Sequence, residues 1–577
     1  MTSSLEELVV LASSDEQLHP IITRMGRGGE RLFGIALVVD ERMVLQGVIN
    51  NGDVLRLLAD GVSLDRPARE VMVREPITAP VEASDAQILQ TVRSQLFRRT
   101  GGKKDVTRHI PLVDEQGVVR DVVDVFSLLA RTPRQGDYVE VYGLGFVGLT
   151  LAVALAGRGH FVTGIDTNGP LVERLLAGDP HVFEPRLPDM MRRALGDEQL
   201  AFRTAPGDEH HRVVVIAVGT PVEDDGSASL AALQAVCEVV GGRLKRGDLV
   251  MLRSTVPVGT TRGFVRERLE AVSGLKAGEE FHLAFTPERT VEGQAMRELT
   301  SLPQIVGGLS SRCAEKATAF WQTLTDSVVH VDSLEAAELV KLINNSYRDL
   351  SFAFANGLAL LADRFNLDAA RVIAAANEGY PRNPIPKPSP GVGGYCLTKD
   401  PFLYAAVDRE AGHGLLSCHG REVNQQAGRY PVQVVSRFAE RLGRPLSELS
   451  VLVVGLAFKG LPETNDLRGS TGVDVGRELA RQGCEVLGYD AVVDDAAIEA
   501  LGFKPVTLHE AAERCDALLI LNNHPDNVPD RLIARLHGRR TLLFDGWSLL
   551  DRHEVEQYDG IVYATMGYMT PERASVS

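Results

Sequence analysis

The sequence predicts an α/β protein in which two doubly wound parallel-sheet domains are joined by a long central helical region and preceded by a smaller α/β pair. Three observations carry this reading. From Tyr138 onward, apolar strands such as YVEVYG, FVTGID, RVVVIAV and DLVMLRST alternate with helical stretches, the rhythm of a parallel sheet with helical crossovers. From about Leu334 to Asn377 an apolar period of 3.6 residues predicts one long helix. After it a second β-α series opens at SVLVVGLAFKG and runs through CEVLGYD, LLILNN and TLLFDGW.

At 577 residues the chain exceeds what one hydrophobic core organises, and it divides into segments 1–135, 137–330, 331–445 and 446–577. In the first segment, IALVVDERMVLQGVINNGDVLRLL is echoed by HIPLVDEQGVVRDVVDVFSLL, a strand-turn-strand-helix unit written twice. The two copies resemble a CBS pair, a module that commonly holds an adenine nucleotide between its halves. In that family a polar residue and an Asp at the end of the last strand hold the ribose. The first copy has Asn50 and Asp53 there and the second has Asp124 and Ser127. The resemblance implies an adenine-nucleotide effector with Asp53 as its ligand; a spacer or dimerisation element is the other reading.

A composition of 44% hydrophobic and 24% charged residues is that of a globular protein, and the net charge of −16 argues against nucleic-acid or anionic-membrane partners, which need a basic footprint. No basic and then apolar leader opens the chain, and no apolar run reaches the length of a membrane span, so a cytoplasmic location is expected. Six scattered cysteines without a C-x-x-C pair fit neither a disulfide framework nor a zinc site, and no metal is expected.

Gly143-Leu144-Gly145-Phe146-Val147-Gly148 follows a strand and opens a helix, and Asp166 ends the next strand. The glycines allow a tight turn and close backbone approach, the helix N-terminus attracts a pyrophosphate, and Asp166 accepts from the ribose hydroxyls while repelling a 2′-phosphate. This is the fingerprint of a Rossmann-like domain and predicts NAD. The second Rossmann-like half begins VVGLAFKG, with one glycine where the fingerprint needs several, and is free to bind another nucleotide.

In Gly393-Gly394-Tyr395-Cys396-Leu397-Thr398-Lys399-Asp400 a cysteine follows a glycine turn and precedes an aspartate by four residues, so a helix beginning here sets both on one face. The dipole of that helix is expected to lower the thiol pKa and ready the sulfur as a nucleophile. Lys341 and Asn345 share a helix face at i, i+4, and Ser254-Thr255-Val256-Pro257 and Thr286-Pro287-Glu288 each follow a strand, where α/β active sites form.

In order, G-x-G-x-x-G, S-T-V-P-V-G, P-E-x-x-x-E-G, A-E-L-V-K-x-x-x-N, G-G-x-C-x-x-x-D and G-L-A-F-K resemble the UDP-glucose/GDP-mannose dehydrogenase family, from about Asp137 to the C-terminus. The resemblance implies a four-electron oxidation of a sugar C6 alcohol by two NAD through a thioester on Cys396. By the same likeness Lys341 stabilises oxyanions, Asn345 assists it, Asp400 transfers protons or activates water, Thr255 positions water and Glu288 is a base or water-orienting group. Thr220, Thr255, Glu292, Lys399 and Arg468 would serve the cofactor, and Glu288, Lys341, Asn345, Arg382, Gly393 and Lys459 the UDP-sugar. Arg382, in GYPRNP, would reach the site of a partner subunit, so a homodimer or larger oligomer is implied.

FTPERTVEGQAMREL and NNSYRDLSFAFANGL resemble the UDP-N-acetylhexosamine members, above all the N-acetylmannosamine type, whereas GGYCLTKD is nearer the UDP-glucose members. Gly219 and Thr398 stand where the family more often has Pro, which alters loop shape without removing a reacting group. Two other classes remain: a single-hydride β-hydroxyacid dehydrogenase, against which Cys396, Asp400 and the second Rossmann-like half argue, and a nucleotide-sensing scaffold without catalysis.

Overall fold

The computed structural model describes residues 9–27, 34–59, 63–83, 87–88, 91–92, 95, 109–125, 136–223, 227–325, 327–382, 384–408, 412–528, 532–536 and 538–571. The chain divides into two compact units, Met1–Gln135 and Gly136–Ser577.

The first unit bears out the internal repeat in its strands. β1 (Val10–Ala12), β2 (Ile35–Val39) and β3 (Leu45–Asn50) form one three-stranded sheet, and β4 (Ala79–Pro80), β5 (His109–Val113) and β6 (Val119–Asp124) form the other. Each has a parallel pair followed by an antiparallel hairpin, with the register shift at the same place, Val38/Val39 and Leu112/Val113. The turns repeat as well. Asp40 Oδ1 accepts from the amides of Arg42 and Val44, and Asp114 Oδ1 accepts from those of Gln116 and Val118. Backbone bonds Leu45 N→Gly117 O and Val119 N→Met43 O, both 3.0 Å, join the two turns. Ser127 lies outside the described residues.

In the second unit, β7 (Tyr138–Tyr142), β8 (Phe161–Ile165), β9 (Leu200–Arg203), β10 (Val213–Ile216), β11 (Leu249–Leu252), β12 (His282–Phe285), β13 (Gln304–Gly308) and β14 (Val328–Val331) form an eight-stranded sheet of order β14-β13-β12-β11-β10-β7-β8-β9. All neighbours are parallel except β12 and β13. β10, β11 and β12 are buried along their whole length, as strands covered on both faces must be. Alternation then divides their side chains: Val213, Val215 and Met251 enter one core layer, and Val214, Ile216, Val250 and Leu252 the other.

β15 (Ser450–Val454), β16 (Glu485–Tyr489), β17 (Lys504–Pro505), β18 (Ala517–Ile520), β19 (Thr541–Asp545), β20 (Ile561–Thr565) and β21 (Tyr568–Met569) make a seven-stranded sheet of order β17-β16-β15-β18-β19-β20-β21. Each sheet reverses its order beside its first strand, between β7 and β10 and between β15 and β18. Such reversals open the crevice in which α/β proteins hold ligands.

The central region is two helices, not the single one its periodicity predicts. α1 (Leu334–Asp363) ends before Arg364, and a second helix covers Ala369–Asn377. Asn366 takes a left-handed φ of 51°, and the Asp368 carboxylate caps the amides of Ala370 and Arg371, so R-F-N-L-D stops one helix and starts the next within an unbroken apolar rhythm. α1 packs against α2 (Tyr395–Ala405) and α3 (Leu415–Leu442). Among the described residues no helix is long and apolar enough to cross a membrane.

Candidate active site

The candidate residues stand on loops that follow strands of the first sheet, on α1 and α2, and on the C-terminal half. The G-x-G-x-x-G turn joins β7 to the helix Phe146–Ala156, whose N-cap Gly145 offers no side-chain partner to the first amides. Gly143 has a φ of +87°, and a Cβ on Gly148 would stand 1.8 Å from the Gly143 carbonyl oxygen, so neither position tolerates a side chain. A Cβ on Gly145 would meet nothing within 4 Å. The turn is thus a bare cradle of amides at a helix N-terminus, which fits a dinucleotide pyrophosphate. Asp166 directly follows β8 and accepts from Leu144 N at 2.8 Å, which ties the acid to the turn. Thr220 donates to the Thr255 carbonyl at 2.5 Å and so joins the loops after β10 and β11.

Lys341 and Asn345 project from α1, and Asp400 from the second turn of α2. Asn345 Nδ2 donates to Asp400 Oδ2 at 2.5 Å, and Lys399 Nζ donates to Asp400 Oδ1 at 2.7 Å. The fully buried Asp400 therefore has a partner on each oxygen, and the ammonium of Lys399, expected at the cofactor, is turned onto this acid. Lys399 and Arg468 both lie over the Tyr395 ring, 5.5 and 5.2 Å from its centroid.

Cys396 stands in the first turn of α2, as its motif predicts, and solvent reaches it. Its thiol nevertheless departs from the sequence expectation. The protein massed around the sulfur pushes the thiol pKa up, Lys341 opposes this, Asp400 reinforces it, and Lys399 and Arg468 oppose it. This direction is opposite to the lowering expected of a thiol at a helix N-terminus.

The loop before Cys396 is held from two sides. A Cβ on Gly393 would lie 2.4 Å from the Gly469 carbonyl oxygen, and one on Gly394 2.8 Å from the Phe458 ring, so the glycine pair allows the loop to press on the C-terminal half. On the other side is a buried polar chain between α1 and α3. Arg421 pairs with Asp349 at 2.7 Å and reaches the Val392 carbonyl at 3.4 Å, while Asn356 joins Asn424 at 2.9 Å and accepts from Ser389 N at 2.8 Å.

Glu288 follows β12 and pairs with Arg253, which follows β11; both are buried. Burial alone would raise the Glu288 pKa, but Arg253, the Thr290 amide and Lys341 together hold it below the ordinary carboxylate value. Glu292 lies across the cleft among Asp466, Thr464, Lys459 and Arg468, and burial raises its pKa. Lys459 Nζ donates to the Glu292 carbonyl at 2.5 Å; burial lowers its pKa to about 8, and Arg348 adds to the fall. Arg382 is exposed and its contacts among the described residues are with Tyr380, 3.3 Å from the hydroxyl, so this chain does not bring it to the other site groups. In the first unit Asn50 and Asp53 form a capping box, each side chain bonding the other's amide at 2.9–3.0 Å, which commits Asp53 to the start of a helix.

Three residues of this arrangement escaped sequence reasoning. Arg253 directly precedes S-T-V-P, Arg348 lies seven residues after Lys341, and Glu338 lies three before it. Glu338, fully buried, accepts from the amides of Gly259 and Thr261 at 2.6 and 2.8 Å and from the Thr261 hydroxyl, binding α1 to the Thr255 loop. The signal was present in helical spacing, but charged residues at that spacing are usually solvated.

Comparison with known proteins agrees with this geometry. Residues 138–325 match the NAD binding domain of the UDP-glucose/GDP-mannose dehydrogenase family, 335–426 its central domain and 452–552 its UDP binding domain. The UDP-N-acetyl-D-mannosamine dehydrogenase of Pyrococcus horikoshii is 31% identical over 432 residues, covering 74% of this chain and 99% of the relative. That of Yersinia pestis is 33% identical over 426 residues, covering 70% and 99%. The structure of a UDP-glucose dehydrogenase from Pyrobaculum islandicum superposes with a TM-score of 0.65 at 31% identity, covering 76% of this chain and 99% of that one. With a bare dinucleotide turn, a cysteine between two Rossmann-like halves and matches along all three segments, the chain belongs to the UDP-glucose/GDP-mannose dehydrogenase family and uses NAD.

Proposed function

We propose that the protein is a cytoplasmic, NAD-dependent UDP-sugar 6-dehydrogenase whose substrate is a UDP-N-acetylhexosamine, with UDP-N-acetylmannosamine first in order, and whose uronic acid product feeds surface-glycan synthesis. The observation that carries the reaction type is Cys396 standing beside Lys341 and the Asn345–Asp400–Lys399 chain, at the carboxyl edge of an NAD-binding sheet. The two relatives named for UDP-N-acetyl-D-mannosamine support the sugar. UDP-glucose is the second reading, favoured by GGYCLTKD and by the Pyrobaculum islandicum structure.

NAD, when bound, would supply a hydride acceptor, and two NAD are consumed in turn, one for each hydride. Lys341 and Asn345 hold the C6 oxygen as its hydrogen leaves and the alcohol becomes an aldehyde with loss of one proton. Cys396 then adds to the aldehyde carbon. The thiol proton passes to the new hydroxyl as the sulfur–carbon bond forms, with Asp400 and its partners beside it. Loss of a second hydride and proton leaves a thioester, and water positioned by Thr255 hydrolyses it, returning the thiol and releasing the acid. Lys459 and Arg348 present positive charge to the UDP diphosphate; Thr220, Glu292 and Arg468 line the cofactor side.

A dimer is part of the proposal. Ile343, Tyr347, Phe354 and Leu361, at intervals of four, seven and seven on α1, are 44–73% exposed. An apolar stripe of this kind marks a protein interface, and Arg382 would reach the neighbouring site from it. For the first unit we propose adenine-nucleotide binding between its two sheets, supported by their duplicated architecture.

NADH formed per sugar nucleotide consumed tests the whole, across UDP-N-acetylmannosamine, UDP-N-acetylglucosamine, UDP-glucose and GDP-mannose. Two NADH with one substrate is expected. One NADH points to single-hydride chemistry and none to a scaffold.

A further inference from the structure

Cys396 lies midway between two attachments to the rest of the fold. Four residues after it, Asp400 accepts from Asn345 of α1 at 2.5 Å. Four residues before it, the Val392 carbonyl accepts from both terminal nitrogens of Arg421, on α3, at 3.4 Å. Ser389 to Gly394 form neither helix nor strand, so contacts of this kind, and not a backbone ladder, decide where the start of α2 stands.

Both attachments trace back to α1. The fully buried Asp349 accepts through Oδ1 from Arg421 Nη1 at 2.7 Å and from Asn424 Nδ2 at 2.9 Å. Asn424 accepts in turn from Asn356 Nδ2 at 2.9 Å, and Asn356 Oδ1 accepts from the Ser389 amide at 2.8 Å. Ser389 Oγ then donates to the Gly391 carbonyl at 2.7 Å. α3 also lies directly on this loop: Gly391 has a φ of +89°, and a Cβ on it would stand 2.9 Å from the Gly428 Cα. One buried carboxylate thus directs two arms onto the segment that carries the thiol. Asp349 follows Lys341 by eight residues and Asn345 by four, and so shares their side of α1.

We propose that Asp349 and Arg421 are positioning residues, a buried ion pair that fixes Cys396 in register with α1 and so serves the thiol steps of the reaction and not the first hydride transfer. The proposal rests on reading the cleft as a dehydrogenase site. A buried ion pair adds no net stability that apolar residues of like volume would not also supply. The worth of this one lies in its geometry, a planar fork that holds a carboxylate and a loop carbonyl at once.

The test uses the full-length protein and two variants. Asp349→Leu together with Arg421→Met removes both charges and leaves neither unpaired, so the melting temperature should stay near that of the wild type. Arg421→Lys keeps a counter-ion for Asp349 and gives up the fork. Without substrate, hydrogen exchange at the amides of residues 389–400 should quicken about tenfold in the double variant while α1 and α3 stay protected. With the sugar nucleotide that the wild type oxidises, rapid mixing should show the first NADH per site at the wild-type rate and the second slowed about ten- to a hundredfold, with KM for both substrates little changed. R421K should show the same split in a milder form, and it decides alone if the double variant does not fold. Wild-type exchange at 389–400, equal slowing of both hydride steps or slowing of neither overturns the proposal. A wild type that reduces no NAD with any sugar nucleotide refutes the functional reading, and the exchange result still decides whether the pair holds the loop.

Discussion

Lys459 gives the second half of the cleft a pH dependence that can be worked out in advance. Burial lowers its pKa to about 8, with Arg348 contributing and Glu292 opposing. If the ammonium holds the diphosphate, substrate affinity follows its protonated fraction, about nine-tenths at pH 7, one-half at pH 8 and one-tenth at pH 9. KM for the sugar nucleotide should therefore rise about tenfold between pH 7 and pH 9, while KM for NAD stays nearly level. Two substitutions separate this lysine from other titrating groups. Lys459→Arg keeps its charge throughout and should keep KM low at pH 9, and Lys459→Gln should be weak at every pH. Initial rates at saturating NAD suffice. A wild-type KM that is flat across this interval, or an arginine variant that titrates like wild type, refutes the reasoning. Folding lowers this pKa from its unfolded value, so the folded chain binds fewer protons than the unfolded one between about pH 8 and about pH 10.5. The group therefore penalises the ligand-free fold below pH 8, and its penalty fades as pH rises through that window.

Three further outcomes are expected. Gly394→Ala places a Cβ 2.8 Å from Phe458 at a φ of +88°, which costs about 1–3 kcal/mol of backbone strain and displaces Cys396; kcat should fall about a hundredfold, and an active alanine variant would mean the loop has another seat. Glu338→Ala removes the acceptor for two amides and a hydroxyl, so denaturant unfolding should show a loss of about 3 kcal/mol, only partly spared in Glu338→Gln, whose NH2 cannot accept from the Gly259 amide; an unchanged midpoint in the alanine variant contradicts the account. Cys396→Ser should bind NAD as the wild type does in a fluorescence titration but accumulate no acid, and wild-type turnover would rule out the thioester.

The local features of this protein were legible in its sequence because each depends on a few adjacent residues. The dinucleotide turn needs glycine at Gly143 and Gly148, since neither backbone position tolerates a side chain, and a carboxylate at Asp166; strand-forming runs and the glycine stop before Cys396 announced the rest. The repeat of the first unit was visible for the same reason, as its two hairpins share turn acids at Asp40 and Asp114.

What sequence alone did not decide is where charges settle when distant segments meet. A rule for a thiol at a helix N-terminus leads one to expect a lowered pKa for Cys396, whereas the protein massed around the sulfur pushes it up. Lys399 is expected at the cofactor from its place in the motif, and the fold sets its ammonium 2.7 Å from the buried carboxylate of Asp400, a pairing that the motif does not announce. Arg253 carried no motif, and its pairing with Glu288 exists because β11 and β12 lie side by side. The break between Asp363 and Ala369 was hidden by an apolar rhythm that runs through it. Periodicity and motifs report which residues face inward. Only the tertiary structure decides the neighbours they find there, and in a low-dielectric cleft the neighbours set protonation, hydrogen bonding and the role each residue can take.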